Sequence, residues 1–372
     1  MNYQAIKTYL LTAIALLMVG ACAEKSLDYY VIELDSELYA DNKSILLNDL
    51  AESIRVIPVQ TTDSVLLASI TIAGTQGNDI VAYTSRYAYR INKTDGSVRI
   101  FLNKRGEGPK EYGSIASMVL ESDTAVMLMD LRKYGFARYN LRGEFLDFTP
   151  LDSLSSYHKL PDGNYYATYP LYLKTPSYTA VYDKDRNFLR RGIYNDRREM
   201  EYNLNILNSD LRRSNGRLLY KDYFGDTIFQ VTTEQDRPYL IIKKGAYKLP
   251  PEMMADFQKA RSGGHNYIRE QDYHIASKYY FLRSLYSRRE YYDIWDMETG
   301  KLLYRQIRDD IDTPIGIPVL VNNIEIRVWP NYAPHIENNT IYCQIPPADV
   351  LKLFPDAPED TNPMLLEVKL KE

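Results

Sequence analysis

Residues 88–101 read AYRI-NKTDG-SVRIF. Apolar and polar residues alternate on both sides of the central NKTDG, which is the period of a half-buried strand. The centre supplies turn residues, and Gly96 reaches backbone angles that other residues avoid. Strand, polar turn and returning strand make one β-hairpin. The phrase returns as FARYN-LRG-EFLDF (136–148), TAVYD-KDR-NFLRR (179–191), DTIFQV-TTEQD-RPYLII (226–242) and YYDIWD-METG-KLLYR (291–305). The first four begin about 43–48 residues apart and the last follows after about 65, and periods of this size mark propeller blades of about four strands.

Each phrase is then the outer hairpin of a blade, with two inner strands between phrases. IASMVLES (115–122) and TAVMLMDL (124–131) are such a pair, and the second is apolar nearly throughout. That suits a strand packed between neighbouring sheets. Five outer hairpins leave two strand-rich stretches, SIRVIPVQ (53–60) and MLLEVKLK (364–371). If they pair, the two ends build a sixth blade and close the ring. The expected fold is therefore all-β: a six-bladed β-propeller with terminal-strand closure and a short helical insertion. Five or seven blades also fit the count. Two β-sandwich domains would need a linker, and no Pro/Gly/Ser-rich boundary divides the chain. Helices are expected at 251–261 (PEMMADFQKAR), which stretches the last gap, and at 348–354 (ADVLKLF).

The N-terminus sets the compartment. Lys7 precedes the apolar run LLTAIALLMV (10–19), about half the length that spans a bilayer. Gly20, Ala21 and Cys22 follow, so residues 1–21 are expected to be a secretory signal. Val19-Gly20-Ala21-Cys22 also resembles a lipobox, in which the Cys22 thiol is acylated; an ordinary signal with an incidental cysteine is the alternative. Residues 22–30 would be a lipidated tether and 31–372 the propeller. Ala23 after the cysteine favours the outer membrane under lipoprotein sorting rules and leaves the leaflet open. The net charge of −4 argues against a nucleic-acid partner. Cys343 has no intrachain partner once Cys22 is acylated. The 34 tyrosines against 10 phenylalanines suit strands, and also suit sugar- or peptide-binding surfaces.

ESIRVIPVQTTDSVLLASI (52–70) and NKRGEGPKEYGSI (103–115) resemble the six-bladed β-propeller lipoproteins of gut Bacteroidetes. The second carries the Gly-x-Gly-Pro-x-Glu-Tyr signature at Gly106, Gly108, Pro109, Glu111 and Tyr112. Asn362-Pro363 before an apolar strand is similar to that family's close. The resemblance spans most of 45–370 and implies the fold, without catalytic residues to carry over.

Two loops are candidates for ligand contact at the channel mouth. In the first, Arg105, Glu107, Glu111 and Tyr112 either meet a polar ligand or clamp adjacent blades. In the second, the insertion carries Arg261, His265, Tyr267, Arg269 and His274, and is either a mobile lid or a packed connector. The spacing of His158, His265, His274 and His335 gives no metal motif, and Asp309, Asp310 and Asp312 look like a solvated turn. No Gly-x-Ser-x-Gly elbow is present. No cofactor is expected. The leading expectation is a non-catalytic binding or scaffolding propeller on the envelope, held to the membrane by lipid and engaging a protein, peptide or glycan. The alternative is a hydrolase or lyase acting on a glycan or lactone, which needs ionisable groups from several blades to converge.

Overall fold

Alternating apolar patterns and Asx/Gly turns give this chain 27 strands among the described residues. The structure is a computed structural model describing residues 28–372 except 63–64, 66, 68, 151–155, 169–176, 196–209, 223–224, 251–252, 254–256, 311, 332–334 and 359–360. The expected signal, Cys22 and part of the expected 251–261 helix lie outside those residues.

Five blades are antiparallel sheets whose strands follow one another in sequence. The first holds Thr71–Gln76, Asp79–Tyr83, Ala88–Asn92 and Val98–Leu102. The second runs from Ser117–Ser122 to Phe145–Pro150, the third from Ser156–Lys159 to Phe188–Asn195. The fourth runs from Asp210–Ser214 to Asp236–Lys243, the fifth from Arg269–Ala276 to Lys301–Arg308. All five sequence phrases are outer hairpins. The second strands are the apolar ones: Ile80–Tyr83 and Ala125–Leu128 are buried throughout. Outer strands such as Phe145–Pro150 are at most half buried. A strand covered on both faces needs apolar residues at every position, and an edge strand does not. In the quoted hairpin, Gly96 sits at φ +71°, and a Cβ there would overlap the Pro58 carbonyl.

The sixth blade is knitted from both ends of the chain. Ala51–Ile57 pairs antiparallel with Met364–Leu370, which pairs with Thr340–Ile345. A buried latch lies beside the join. Asn362 accepts from Leu67 N–H (2.7 Å) and donates to the carbonyls of Gln60 (2.8 Å) and Val65 (3.1 Å). One extra hairpin, Ile317–Val321 with Ile324–Val328, lies beside the sixth blade's Thr340–Ile345, and Trp329 just after it meets Phe281 and Tyr292 of the fifth blade edge-on. The short helices Phe257–Gly263 and Pro347–Leu353 occupy the two expected regions.

Apolar clusters lie between successive blades, as radial packing requires. One joins Val81 and Tyr83 of the first blade to Met118 and Leu120 of the second. Others join Met127 to Ala167, Tyr166 to Leu218, and Leu219 to Tyr280. The largest spans the fifth, sixth and first blades. Many tyrosines serve this packing: Tyr112, Tyr139, Tyr166, Tyr280 and Tyr292 are all fully buried.

Two segments depart from the simple ring. Before its strand in the sixth blade, the chain runs along the outer rim. Tyr30–Glu33 adds a parallel strand outside Leu240–Lys243, and Lys43 bridges to Arg305 on the fifth blade's outer strand. Ile32, Leu34 and Leu38 bury themselves there. Later, His335–Ile336 pairs in parallel with Arg213–Ser214 on the fourth blade's inner strand and also touches the first blade's inner strand. The first and fourth blades face each other across a six-membered ring, so this segment spans the central channel.

Candidate functional site

Inner strands all run one way, so the ring has two distinct faces. The upper face carries the connections from each outer strand to the next blade, including 103–116 and 244–268. The lower face carries the hairpin turns 93–97, 215–216, 277–278 and 297–300.

Both candidate loops start on the upper face, in separate places, although His274 lies farther down the fifth blade's inner strand. The 105–112 loop is tied to itself and to the blades beside it. Gly108 N–H donates to Glu111 Oε2 (2.7 Å), and Gly106 N–H to the Tyr112 carbonyl (2.9 Å). Arg105 Nε donates to the Gly113 carbonyl (3.0 Å). Lys133, from the second blade, donates to the carbonyls of Gly108 and Glu111. Tyr112 is fully buried, packs edge-on against Tyr139 and donates its hydroxyl to the Arg86 carbonyl (2.6 Å). Burial pushes its phenol up to about 12, so it stays a neutral donor. Tyr112 therefore packs between the first two blades, while the Glu111 side chain holds the turn of its own loop. Arg105, Glu107 and Glu111 are exposed, and Glu107 lies 4.0 Å from Arg132.

The second group is also divided. Arg261 lies in the helix Phe257–Gly263. His265, Tyr267 and Arg269 are half buried, and the connector is pinned where Ser287 N–H donates to the His265 carbonyl (2.7 Å). His274 is 1 % exposed, with Nε2 3.2 Å from Asp272 Oδ2, so it faces the interior between blades and not the channel mouth.

Around His274 lies an ionic network that sequence reasoning missed. Arg212 joins Asp210 (2.6 Å) and Asp272 (2.8 Å), and its guanidinium covers the Tyr273 ring at 4.0 Å. Lys221 and Lys244 flank Glu270 at 3.2 and 2.5 Å, and Lys244 also reaches Asp226 (2.9 Å). Burial alone would raise Glu270, but the two lysines outweigh it and hold the carboxyl at about 2. Lys221, ion-paired to Glu270, is lowered by burial and by neighbouring Lys244, whereas Lys244, ion-paired to Glu270 and Asp226, is raised despite burial. Charge answers charge throughout, which binds the fourth blade to the fifth.

On the lower face the same two blades part around a cleft of about 750 Å³. Tyr30 and Tyr239 meet edge-on in its wall at 5.4 Å, with Arg217 over Tyr239 at 5.8 Å. Lys278, Glu298, Glu337 and Asn338 complete a polar rim. Burial pushes the Tyr239 phenol up while Arg217 pulls it down. Cleft residues come from the first described strand, two blades and the channel segment. Nothing local in the sequence places the Asn215-Gly216 turn beside Tyr30 or Asn338. The cleft offers stacking faces, amides and both signs of charge.

These features define a six-bladed β-propeller with a spanned channel and a polar cleft on its lower face. The chain belongs to the DUF4934 family, a domain of unknown function, whose model matches residues 29–371. No curated protein matches it. Among solved structures it is similar to a Bacteroides fragilis protein assigned as a candidate for export, with 16% identity, TM-score 0.69, and coverage of 92% of this chain and 100% of the other. A DUF4221 member from Bacteroides vulgatus gives 10% identity, TM-score 0.49, and coverage of 89% and 98%. The extracellular domain of a candidate one-component system from Bacteroides thetaiotaomicron gives 11% identity, TM-score 0.40, and coverage of 84% and 40%.

Proposed function

We propose that this protein is an exported, lipid-anchored binding propeller that holds a polar ligand, a glycan or peptide, in the cleft between its fourth and fifth blades. The cleft carries the reading. Tyrosine faces, amides and charged groups converge there from segments distant in sequence, as in sites that fix a polar ligand's orientation. The signal-like start, Cys22 and the exported B. fragilis neighbour support an envelope location, with the outer membrane favoured by Ala23. A hydrolase or lyase would need ionisable groups converging in an open cleft. The dense ionisable cluster of the fourth and fifth blades is instead buried and paired.

Equilibrium dialysis of isotopically labelled envelope saccharides and peptides against the purified protein tests this. Retention by the wild type, lost in Arg217→Ala and Tyr239→Ala, is expected. Equal retention by these variants would refute the cleft as the site.

A further inference from the structure

The upper face has a second, unrelated feature. Three loops of the first two blades, 84–87, 103–113 and 131–134, are bonded into one surface. The Tyr112 hydroxyl reaches the Arg86 carbonyl, the Ile115 N–H reaches Ser85, and Lys133 reaches Glu111. These loops carry six cationic side chains, Arg86, Lys104, Arg105, Lys110, Arg132 and Lys133, against two carboxylates, Glu107 and Glu111, in a chain whose net charge is −4. Asp130 lies buried beneath, its carboxylate taken by the N–H groups of Gly113 and Arg132. Arg86, Lys104, Lys110 and Arg132 are exposed. Among them Tyr134 holds its side chain 73 % exposed at φ 48°, and Leu131 is 53 % exposed. A bulky residue in the left-handed region is uncommon and draws attention to what it presents.

We infer that this corner docks an anionic polysaccharide, with Arg86, Lys104, Lys110 and Arg132 meeting its acid groups and Tyr134 stacking on a sugar ring. Concentrated positive charge on an acidic protein is complementary to a polyanion. The loops are fixed before binding, which lowers the entropy cost. An extended acidic peptide would seek an open strand edge, but the backbone N–H groups of Gly106, Gly108, Tyr112 and Gly113 already donate within the loops. The bilayer is a poorer partner. Tyr30, the last residue of the expected tether, starts a strand instead and lines the cleft on the lower face. The cationic corner thus points away from an anchor at Cys22. This docking is independent of the cleft ligand.

The test uses the full chain in detergent, titrated with polygalacturonate, heparin, neutral dextran, polyglutamate and anionic vesicles. The acidic polysaccharides should bind, and should weaken about tenfold or more between ~50 and ~200 mM salt. The Lys104→Glu/Lys110→Glu variant should lose about tenfold or more in affinity. Tyr134→Ala should weaken binding while keeping the salt slope, and Arg217→Ala in the cleft should leave it unchanged. Equal binding of dextran, or an unaffected Lys104→Glu/Lys110→Glu variant, would overturn the inference. So would tighter binding of polyglutamate, or capture of a Cys22→Ser chain by vesicles more tightly than by polysaccharide.

Discussion

Asn362 does at one position what the ring needs as a whole. Its 1 % exposed side chain satisfies backbone groups of the 60–67 segment from the far end of the chain. Asn362→Ala leaves those groups buried and unpaired, and should cost about 3 kcal/mol in chemical denaturation. The resemblance pointed to Asn362-Pro363 by pattern, and the hydrogen bonds supply the reason. Arg305 and Asp293 are a second case. Both are fully buried, with Arg305 Nη2 2.6 Å from Asp293 Oδ2. Removing one partner strands a charge, so Asp293→Ala should lose about 3–5 kcal/mol, while the pair Asp293→Leu/Arg305→Met should recover most of it. Equal stability of the single and double variants would contradict this. Such pairs are invisible in sequence, because an Asp or Arg in an alternating strand looks the same whether it points to solvent or to another blade.

At the scale of elements, the outer hairpins were legible because strand alternation and turn chemistry agree within about fifteen residues. Two elements were not. IPVLV is apolar throughout and IEIRV alternates, as in any blade, yet they form a separate hairpin beside the sixth blade. His335–Ile336, the pair that crosses the channel, is too short to carry a period, and its pairing with Arg213–Ser214 and contact with the first blade's inner strand define it. The cleft was hidden for the same reason, since its walls are turns of separate elements. The contact between the fourth and fifth blades makes a pH prediction. Glu270 is held at about 2 against an ordinary 4.5, so its ion pairs contribute fully above pH 4.5 and are lost as pH falls toward 2. Asp272 is also held below its usual range, burial being outweighed by His274 and Arg212. Stability should therefore drop through that acid window. Glu270→Gln should flatten the drop and cost about 3 kcal/mol at neutral pH. An unchanged acid limb in thermal melts of the variant would count against the network.

For the whole molecule, clusters between neighbouring blades give one continuous ring in place of two centres, which is what the regular spacing of hairpins implied. The rim strand Tyr30–Glu33 places the start of the described chain on the lower face, so a lipid at Cys22 would hold the propeller by that side. Cys22→Ser should move the protein from the detergent to the aqueous phase in phase partitioning, and unchanged partitioning would remove the anchor. Ring closure itself is the central claim. Arg55 and Glu367 are direct cross-strand partners and pair at 2.8 Å across 312 residues of sequence. Arg55→Cys/Glu367→Cys should close rapidly to an intrachain disulfide under mild oxidation, visible as faster migration on a non-reducing gel, because cross-strand Cα atoms lie about 4.5–5.5 Å apart. Failure to crosslink, or crosslinking only between chains, would contradict the closed propeller.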